Sequence, residues 1–102
     1  MVYTVYALVD PRTMQEFYVG CTKDAKQRLK AHISGQSYGG AWERNRELRR
    51  LHLKPIMQTL AKFPDIKSAA KAERENIIRL GSKLLNRRAD STMKGTGKQY
   101  NL

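Results

Sequence analysis

Two side chains in this sequence have the types and the spacing expected of groups that contact a phosphate. Arg28 and His32 are four residues apart in a segment whose pattern predicts a helix over residues 24–34. That spacing stacks two side chains on one helix face, about 6 Å apart. A guanidinium offers a planar fork to phosphate oxygens, and an imidazole titrates near neutral pH. The pair is a candidate phosphate site, and Tyr18 is expected beside it because the strand is predicted to break in a turn at Gly20.

A glutamate in the stretch AERENIIRL is a second candidate. Glu73 and Glu75 are two residues apart, which on a helix separates them by about 200°, so at most one faces a site. Glu73 shares its helix face with Ala69 and Ile77, which are predicted core residues. Glu73 is therefore predicted to face inward. The alternative is a surface glutamate that pairs with a neighbouring arginine.

These residue types suit phosphodiester hydrolysis, which needs an activated water, a cation to neutralise developing charge and a source of protons. The sequence contains no HExxH pair and no P-loop, so zinc hydrolysis and nucleotide binding have no support. Cys21 is the only cysteine, which excludes an internal disulfide and a two-cysteine metal site. It is expected to be a small packing residue.

Short-range patterns predict the elements that position these residues. Aromatic and β-branched runs indicate two strands joined as a hairpin by DPRTMQ, and apolar periodicity indicates helices downstream. The predicted strands cover residues 3–9, 16–21 and 56–62, and the predicted helices cover 24–34, 41–53 and 65–80.

Helix ends and buried helix faces are predicted in the same way. Asp24 and Asp65 can cap the first and third helices, and Gly81 can end the third. Arg28 and His32 are expected at the border of the buried stripe of the first helix, partly buried. The predicted buried faces are Ala25, Leu29 and Ile33 in the first helix, Trp42, Leu48, Leu51 and Leu53 in the second, and Ile66, Ala69, Ala70, Ile77 and Leu80 in the third.

The charge balance indicates the class of partner. The chain has 102 residues, enough for one domain, and 20 lysines and arginines against 9 acidic residues give a formal net charge of +11. A nucleic acid is the favoured partner, the alternatives being a membrane surface or no polyanion at all. The first ten residues are too short and too aromatic for a signal peptide or membrane span, so a cytoplasmic protein without membrane contact is expected.

The second predicted helix carries a basic face. Arg46, Arg49 and Arg50 lie on or beside it, and with Lys23 they form the predicted DNA-binding set. An ordinary solvated face is the equally weighted alternative.

The tyrosines and the arginine together resemble the GIY-YIG nuclease family. Its two signatures correspond here to Val5-Tyr6-Ala7 and Tyr18-Val19-Gly20, and its helical arginine corresponds to Arg28. The first signature departs from the family pattern, because Thr4 and Val5 replace its glycine and isoleucine.

This resemblance implies specific roles. It implies that Tyr6 and Tyr18 both line the active site, one activating water and the other orienting, with Arg28 and His32 assisting. It implies that Glu73 holds one divalent metal, and a single carboxylate completed by waters suits Mg²⁺, or Mn²⁺ in its place. The family's polar residue after the last helix corresponds to Asn86, which either orients a tyrosine or phosphate or only turns the chain.

The sequence thus predicts an α/β (α+β) domain with a small, three-stranded, mainly antiparallel sheet flanked by helices. The domain is predicted to cover residues 1–86, followed by a basic, flexible tail at 87–102. The predicted function is metal-dependent endonucleolytic cleavage of DNA. Two alternatives stay open, a catalytically silent nucleic-acid-binding module and a basic subunit of a larger assembly. Specificity is expected to come from the core, from self-association into a homodimer or from a partner protein.

Overall fold

Three strands form one antiparallel sheet with the first strand in its centre. The computed structural model describes residues 2–34 and 41–81. Within them the sheet order is β2-β1-β3. The elements in chain order are β1 (Tyr3–Asp10), β2 (Gln15–Thr22), α1 (Ala25–Ile33), α2 (Ala41–Arg50), β3 (Ile56–Phe63) and α3 (Ile66–Leu80). The predicted α+β fold with a three-stranded antiparallel sheet is confirmed.

The central strand β1 is buried on both faces, because strands flank it on both sides and helices cover both faces of the sheet. Alternate residues of a strand point to opposite faces. Val5 and Ala7 pack in one cluster with Ala69 of α3, whereas Tyr6 and Leu8 pack in another with residues of α2. The second cluster consists of Tyr6, Leu8, Phe17, Tyr18, Ala41 and Leu48. This second cluster therefore forms the apolar layer on which the predicted site lies.

An irregularity in the β1–β2 pairing gives β2 an extra residue on this face. Leu8 pairs with Tyr18 and Val9 pairs with Glu16, which leaves Phe17 as the bulged residue between them. Phe17 and Tyr18 are consecutive, yet both belong to the cluster that contains Tyr6. The bulge thus adds a large apolar side chain without displacing Tyr18 from the site.

The predicted helix caps are present. The Asp24 carboxylate accepts a hydrogen bond from the Gln27 amide at 3.1 Å, and the Asp65 carboxylate accepts one from the Ser68 amide at 2.7 Å. Gly81 has φ +60° and closes α3. Both cap aspartates satisfy backbone N–H groups that the first helical turn leaves without intrahelical partners.

The second helix ends at Arg50, three residues earlier than predicted. His52 has φ +61°, the Leu53 amide bonds to the Leu48 carbonyl at 2.8 Å, and the His52 amide bonds to the Arg49 carbonyl at 3.0 Å. This is a Schellman closure, with histidine at the left-handed position that glycine usually occupies. No glycine or proline occurs between Arg50 and Leu53, so the apolar pattern extended the predicted helix too far.

The predicted buried faces of the helices are partly wrong. In α1 the buried residues are Ala31 and His32, while Ala25, Leu29 and Ile33 are only half-buried. In α2 the buried residues are Ala41, Asn45 and Leu48, while Trp42, Leu51 and Leu53 are exposed. In α3 Ile66 is exposed, although Ala69 is buried as predicted. His32 in α1 and Asn45 in α2 are polar residues on the helix faces that meet the site. The buried faces of these helices could therefore not be identified from the pattern of apolar residues.

Across residues 2–34 and 41–81, the structure contains no helix that combines the length and the apolar character needed to cross a bilayer.

Candidate active site

Three rings from three elements meet on the α1 and α2 side of the sheet. The ring centroids of Tyr6 and Tyr18 are 6.3 Å apart, and that of His32 lies 5.9 Å from Tyr6 and 5.5 Å from Tyr18. His32 Nε2 is 2.9 Å from the Tyr6 hydroxyl oxygen, within hydrogen-bond distance. The structure therefore brings together the two tyrosines and the histidine that the sequence singled out.

Gly20 leaves room for the Tyr6 ring. It lies inside β2, which continues to Thr22, and it pairs across the sheet with Tyr6. A Cβ atom at this position would stand 2.5 Å from the Tyr6 hydroxyl oxygen and 2.6 Å from its Cζ atom. The expected break and turn at Gly20 is therefore wrong: the glycine is required because the phenol crosses over its Cα atom.

The first helix places Arg28 and His32 toward this ring cluster, at different depths. Arg28 is half-buried, while His32 is completely buried rather than partly buried as predicted. Burial, and then the charge of Arg28, lower the pKa of His32 to about 4. The imidazole is therefore neutral near pH 7 and cannot serve there as a cationic phosphate ligand.

The Tyr6 hydroxyl lies among groups with opposing effects on its ionisation. Burial raises the pKa of Tyr6 well above its ordinary value, and Tyr18 raises it further. The charge and hydrogen bonding of Arg28 lower the pKa of Tyr6, and the charge of Glu73 raises it. Burial has the largest effect, so Tyr6 is held as a neutral phenol.

Glu73 of α3 belongs to the same electrostatic cluster. It is half-buried, whereas Glu75 is exposed, which agrees with the predicted orientation of this helix. Burial raises the pKa of Glu73, and the charges of Arg28 and Arg74 lower it. Glu73 is thus a carboxylate that burial leaves incompletely compensated, close enough to Arg28 to sense its charge.

Sequence analysis missed Asn45. Its side-chain Nδ2 lies 3.3 Å from His32 Nδ1, and both residues are buried. Asn45 stands four residues after Ala41 and three before Leu48, the other two buried residues of α2. A polar residue at that spacing between two small or apolar ones is the sequence signal that could have identified it.

A cavity of about 430 Å³ opens beside Arg28. Cys21, Lys23 and Arg28 contribute to its wall, with Tyr3 and Ile66 among its apolar lining residues. Its volume falls within the roughly 300–1,000 Å³ typical of ligand sites. The wall carries two cations, Lys23 and Arg28, and one carboxylate, Asp24, so its net positive charge favours an anionic ligand.

The basic residues predicted to bind DNA are in different environments. The guanidinium carbon of Arg46 lies 4.6 Å from the Trp42 ring centroid, and Arg49 donates a hydrogen bond to the Ser34 carbonyl at 2.8 Å. Arg50 and Lys23 are exposed. Arg49 therefore stabilises the C-terminus of α1 in addition to any contact with a ligand. Asn86 and the predicted tail lie outside the described residues.

Comparison of the chain with models of protein families identifies one family. The model for the GIY-YIG catalytic domain matches residues 2–88, nearly the whole chain. The chain belongs to the GIY-YIG family. This is a family of endonucleases that generally depend on a divalent metal. Comparisons with curated proteins and with solved structures gave no match.

The residues of this GIY-YIG domain fit a single hard divalent cation. Within the part of the chain that the structure describes, no three His, Cys, Asp or Glu side chains are grouped as a metal site. Glu73 is the one half-buried carboxylate in the cluster around Arg28 and Tyr6, and burial raises its pKa because its charge is poorly compensated. One carboxylate with waters and substrate oxygens is a ligand set that Mg²⁺ accepts.

Proposed function

We propose that this GIY-YIG protein is a metal-dependent endonuclease that hydrolyses phosphodiester bonds of DNA. The observation that carries the proposal is the convergence of Tyr6, His32, Arg28 and Glu73, from β1, α1 and α3, on one electrostatically coupled cluster. A half-buried arginine and a half-buried carboxylate that shift the pKa of a buried tyrosine are typical of functional sites.

Arg28 is proposed to bind the scissile phosphate. Its side chain is half-buried and lines the 430 Å³ cavity, so a phosphate there would meet a guanidinium that is already held in place. Such a donor contributes most when negative charge builds on the phosphate oxygens in the transition state.

The two tyrosines are proposed to divide the remaining work. Tyr18 is 8% exposed and Tyr6 is not exposed at all, so Tyr18 is the better placed to contact and activate a water molecule. Tyr6 is proposed to orient the site from beneath, through its hydrogen bond with His32. The raised pKa of Tyr6 supports this division, because a group held in its neutral form is a poor base.

Glu73 is proposed to hold one Mg²⁺ or Mn²⁺ ion. When bound, the metal would supply positive charge next to the reacting phosphate, as divalent ions do in phosphoryl chemistry. The Glu73 carboxylate suits this role because a nearby cation would offset the cost of burying its negative charge.

DNA is the proposed substrate because of the charge balance. The 20 basic residues against 9 acidic ones favour binding of a polyanion. Lys23 lines the cavity beside Arg28, and Arg50 is exposed on α2, so both are proposed to contact the DNA backbone. For Asn86 the proposal is to orient a tyrosine or the phosphate.

Plasmid nicking with two matched glutamate variants tests the proposal. Purified parent protein and Mg²⁺ should convert supercoiled plasmid to nicked or linear forms, and Glu73→Gln should abolish this while keeping the fold and DNA affinity. Glu75→Gln is the control, because it changes the same type of side chain on the exposed side of the same helix. DNA binding without cleavage by the parent would establish a silent binding module. Normal cleavage by Glu73→Gln would remove the metal role.

A further inference from the structure

A buried row of three polar side chains connects α2 to Tyr6. The amide of Asn45 meets Nδ1 of His32 at 3.3 Å, and Nε2 of the same ring meets the Tyr6 hydroxyl oxygen at 2.9 Å. The exposed fractions of these residues are 1%, 0% and 0%. Buried polar groups are costly unless they are hydrogen-bonded, so each contact in this row fixes the next one.

The Asn45 contact determines which nitrogen of His32 carries the proton. Nδ2 of Asn45 is an amide nitrogen, which donates hydrogen bonds and has no lone pair to accept one. In this orientation of the Asn45 amide, Nδ1 of His32 is the acceptor. Burial and the charge of Arg28 lower the pKa of His32 to about 4, so the ring is neutral and has a single N–H group. That N–H group is consequently at Nε2.

The tautomer sets the direction of the next hydrogen bond. An N–H group at Nε2 donates to the Tyr6 oxygen, so the hydroxyl proton of Tyr6 cannot point back at His32. The Tyr6 hydroxyl proton must be directed elsewhere. The neighbours of the hydroxyl on the side that faces the active site are the Tyr18 ring and the Arg28 side chain. Arg28 can only donate, so the acceptors there are the Tyr18 hydroxyl, the Glu73 carboxylate or an oxygen of a bound ligand.

We propose that Asn45 is a positioning residue that holds His32 in the Nε2–H tautomer and thereby directs the Tyr6 hydroxyl proton into the active site. His32 is then a fixed hydrogen-bond donor, not the acceptor of a proton during the reaction. The part of this proposal that concerns catalysis rests on the proposed nuclease function, whereas the tautomer itself does not.

Nitrogen NMR of the imidazole tests the tautomer directly. The chain contains two histidines, and replacing the exposed His52 by asparagine, which tolerates its positive φ, leaves His32 as the only ring in the spectrum. Correlations between ring protons and ring nitrogens distinguish a protonated nitrogen from a bare one. At pH 7 the spectrum should show protonated Nε2 and bare Nδ1. Protonated Nδ1 would overturn the proposal without any variant of Asn45.

Two substitutions of Asn45 test its control over the tautomer. Asn45→Asp offers only acceptor oxygens, so at a pH where the ring is neutral the proton should move to Nδ1. Asn45→Leu removes the donor and should give a mixture of the two tautomers. Asn76→Leu is the matched control, because the Asn76 amide bonds the Ala72 carbonyl instead of an imidazole. An unchanged tautomer in both Asn45 variants would overturn the proposal.

Cleavage rates then test the consequence for catalysis. Both Asn45 variants should cut plasmid about ten- to a hundredfold more slowly at unchanged DNA affinity, the usual effect of losing a hydrogen bond that orients a functional imidazole. Asn76→Leu should cut at the parent rate. Parent-like cutting by Asn45 variants whose tautomer has changed would overturn the positioning role. A parent protein that shows the expected tautomer but never cuts would refute the proposed function and leave the tautomer assignment standing.

Discussion

Replacing Gly20 by alanine should damage the site through one misplaced atom. The added Cβ would lie 2.5 Å from the Tyr6 hydroxyl oxygen and 2.6 Å from its Cζ atom, about 0.9 Å and 0.8 Å short of the 3.4 Å at which ordinary contacts begin. Tyr6 is completely buried and pairs with Gly20 across the sheet, so the ring has little freedom to withdraw. The phenol must nevertheless move by nearly 1 Å.

A displacement of this size has two consequences of different magnitude. The hydrogen bond between Tyr6 and His32 is 2.9 Å long. If a displacement of this size took the Tyr6 hydroxyl away from the His32 imidazole, the two atoms would be too far apart for a hydrogen bond. Overpacking of a buried site typically costs about 1–3 kcal/mol of unfolding free energy, which in a domain of this size lowers Tm by roughly 4–8 °C per kcal/mol. Misplacing a catalytic group by 1 Å costs about 10²-fold in rate.

Gly81→Ala separates the two consequences. Gly81 has φ +60° and no neighbouring atom within 4 Å of an added Cβ, so alanine there is strained but contacts nothing. A residue forced into such a backbone conformation costs about 1–3 kcal/mol, comparable with the Gly20 substitution.

Melting temperatures and single-turnover nicking rates of the two alanine variants, measured on the same preparations, provide the assay. Both should melt earlier than the parent, but only Gly20→Ala should cut slowly after correction for the folded fraction. Equal rates per folded molecule would refute the role assigned to Gly20.

Three further predictions concern residues outside the ring cluster. Arg12 and Arg44 hold the pKa of buried Asp10 near 2, below its ordinary 3.8. Ionised Asp10 should therefore add about 2 kcal/mol of stability above pH 4, and this stability should disappear as the pH falls toward 2. The unfolding free energies of Asp10→Asn and the parent, measured in urea, should converge in acid, and a constant difference between them would contradict this prediction. Cys21 lines the cavity with Arg28, so saturating DNA should slow its alkylation, measured by mass spectrometry; an unchanged rate would place DNA elsewhere. Arg50→Gln should weaken DNA binding and flatten its salt dependence at unchanged Tm. Arg49→Gln loses the hydrogen bond to the Ser34 carbonyl, so it should also lower Tm. Equal melting temperatures of the two variants would contradict the capping role of Arg49.

The elements could be predicted from the sequence because local rules determine them. The hairpin follows from two β-branched and aromatic runs, and the capped starts of α1 and α3 follow from Asp24 and Asp65. Tyr18 was singled out through the triplet Tyr18-Val19-Gly20, and Glu73 through its phase on the predicted helix. The caps act over three residues, and the hairpin pairs two strands that are neighbours in the chain.

The buried polar contacts could not be predicted in this way, because they join distant parts of the chain. Tyr6 bonds His32 over 26 residues, and His32 contacts Asn45 over 13. His32 and Asn45 each occupy a buried helix position where an apolar residue is expected. The apolar period that marks a buried face is therefore broken at the candidate site. The same reasoning explains Gly20, whose requirement comes from a ring on the neighbouring strand and not from its own backbone.

Two of the buried polar groups in the described core, Asp10 and the Asn45–His32–Tyr6 row, are built for different purposes. Asp10 is an ionised carboxylate neutralised by Arg12 and Arg44, and it ties the β1–β2 turn to α2. The Asn45, His32 and Tyr6 contacts join neutral groups, and neutral hydrogen bonds contribute only about 1 kcal/mol each to stability. Apolar side chains of similar volume would pack there at no greater cost, so stability alone does not account for a histidine and an asparagine at the centre of the domain. Their geometry orients the Tyr6 hydroxyl, which an apolar core cannot do. Departures from the apolar pattern therefore mark the candidate active site more sharply than any single motif in the sequence.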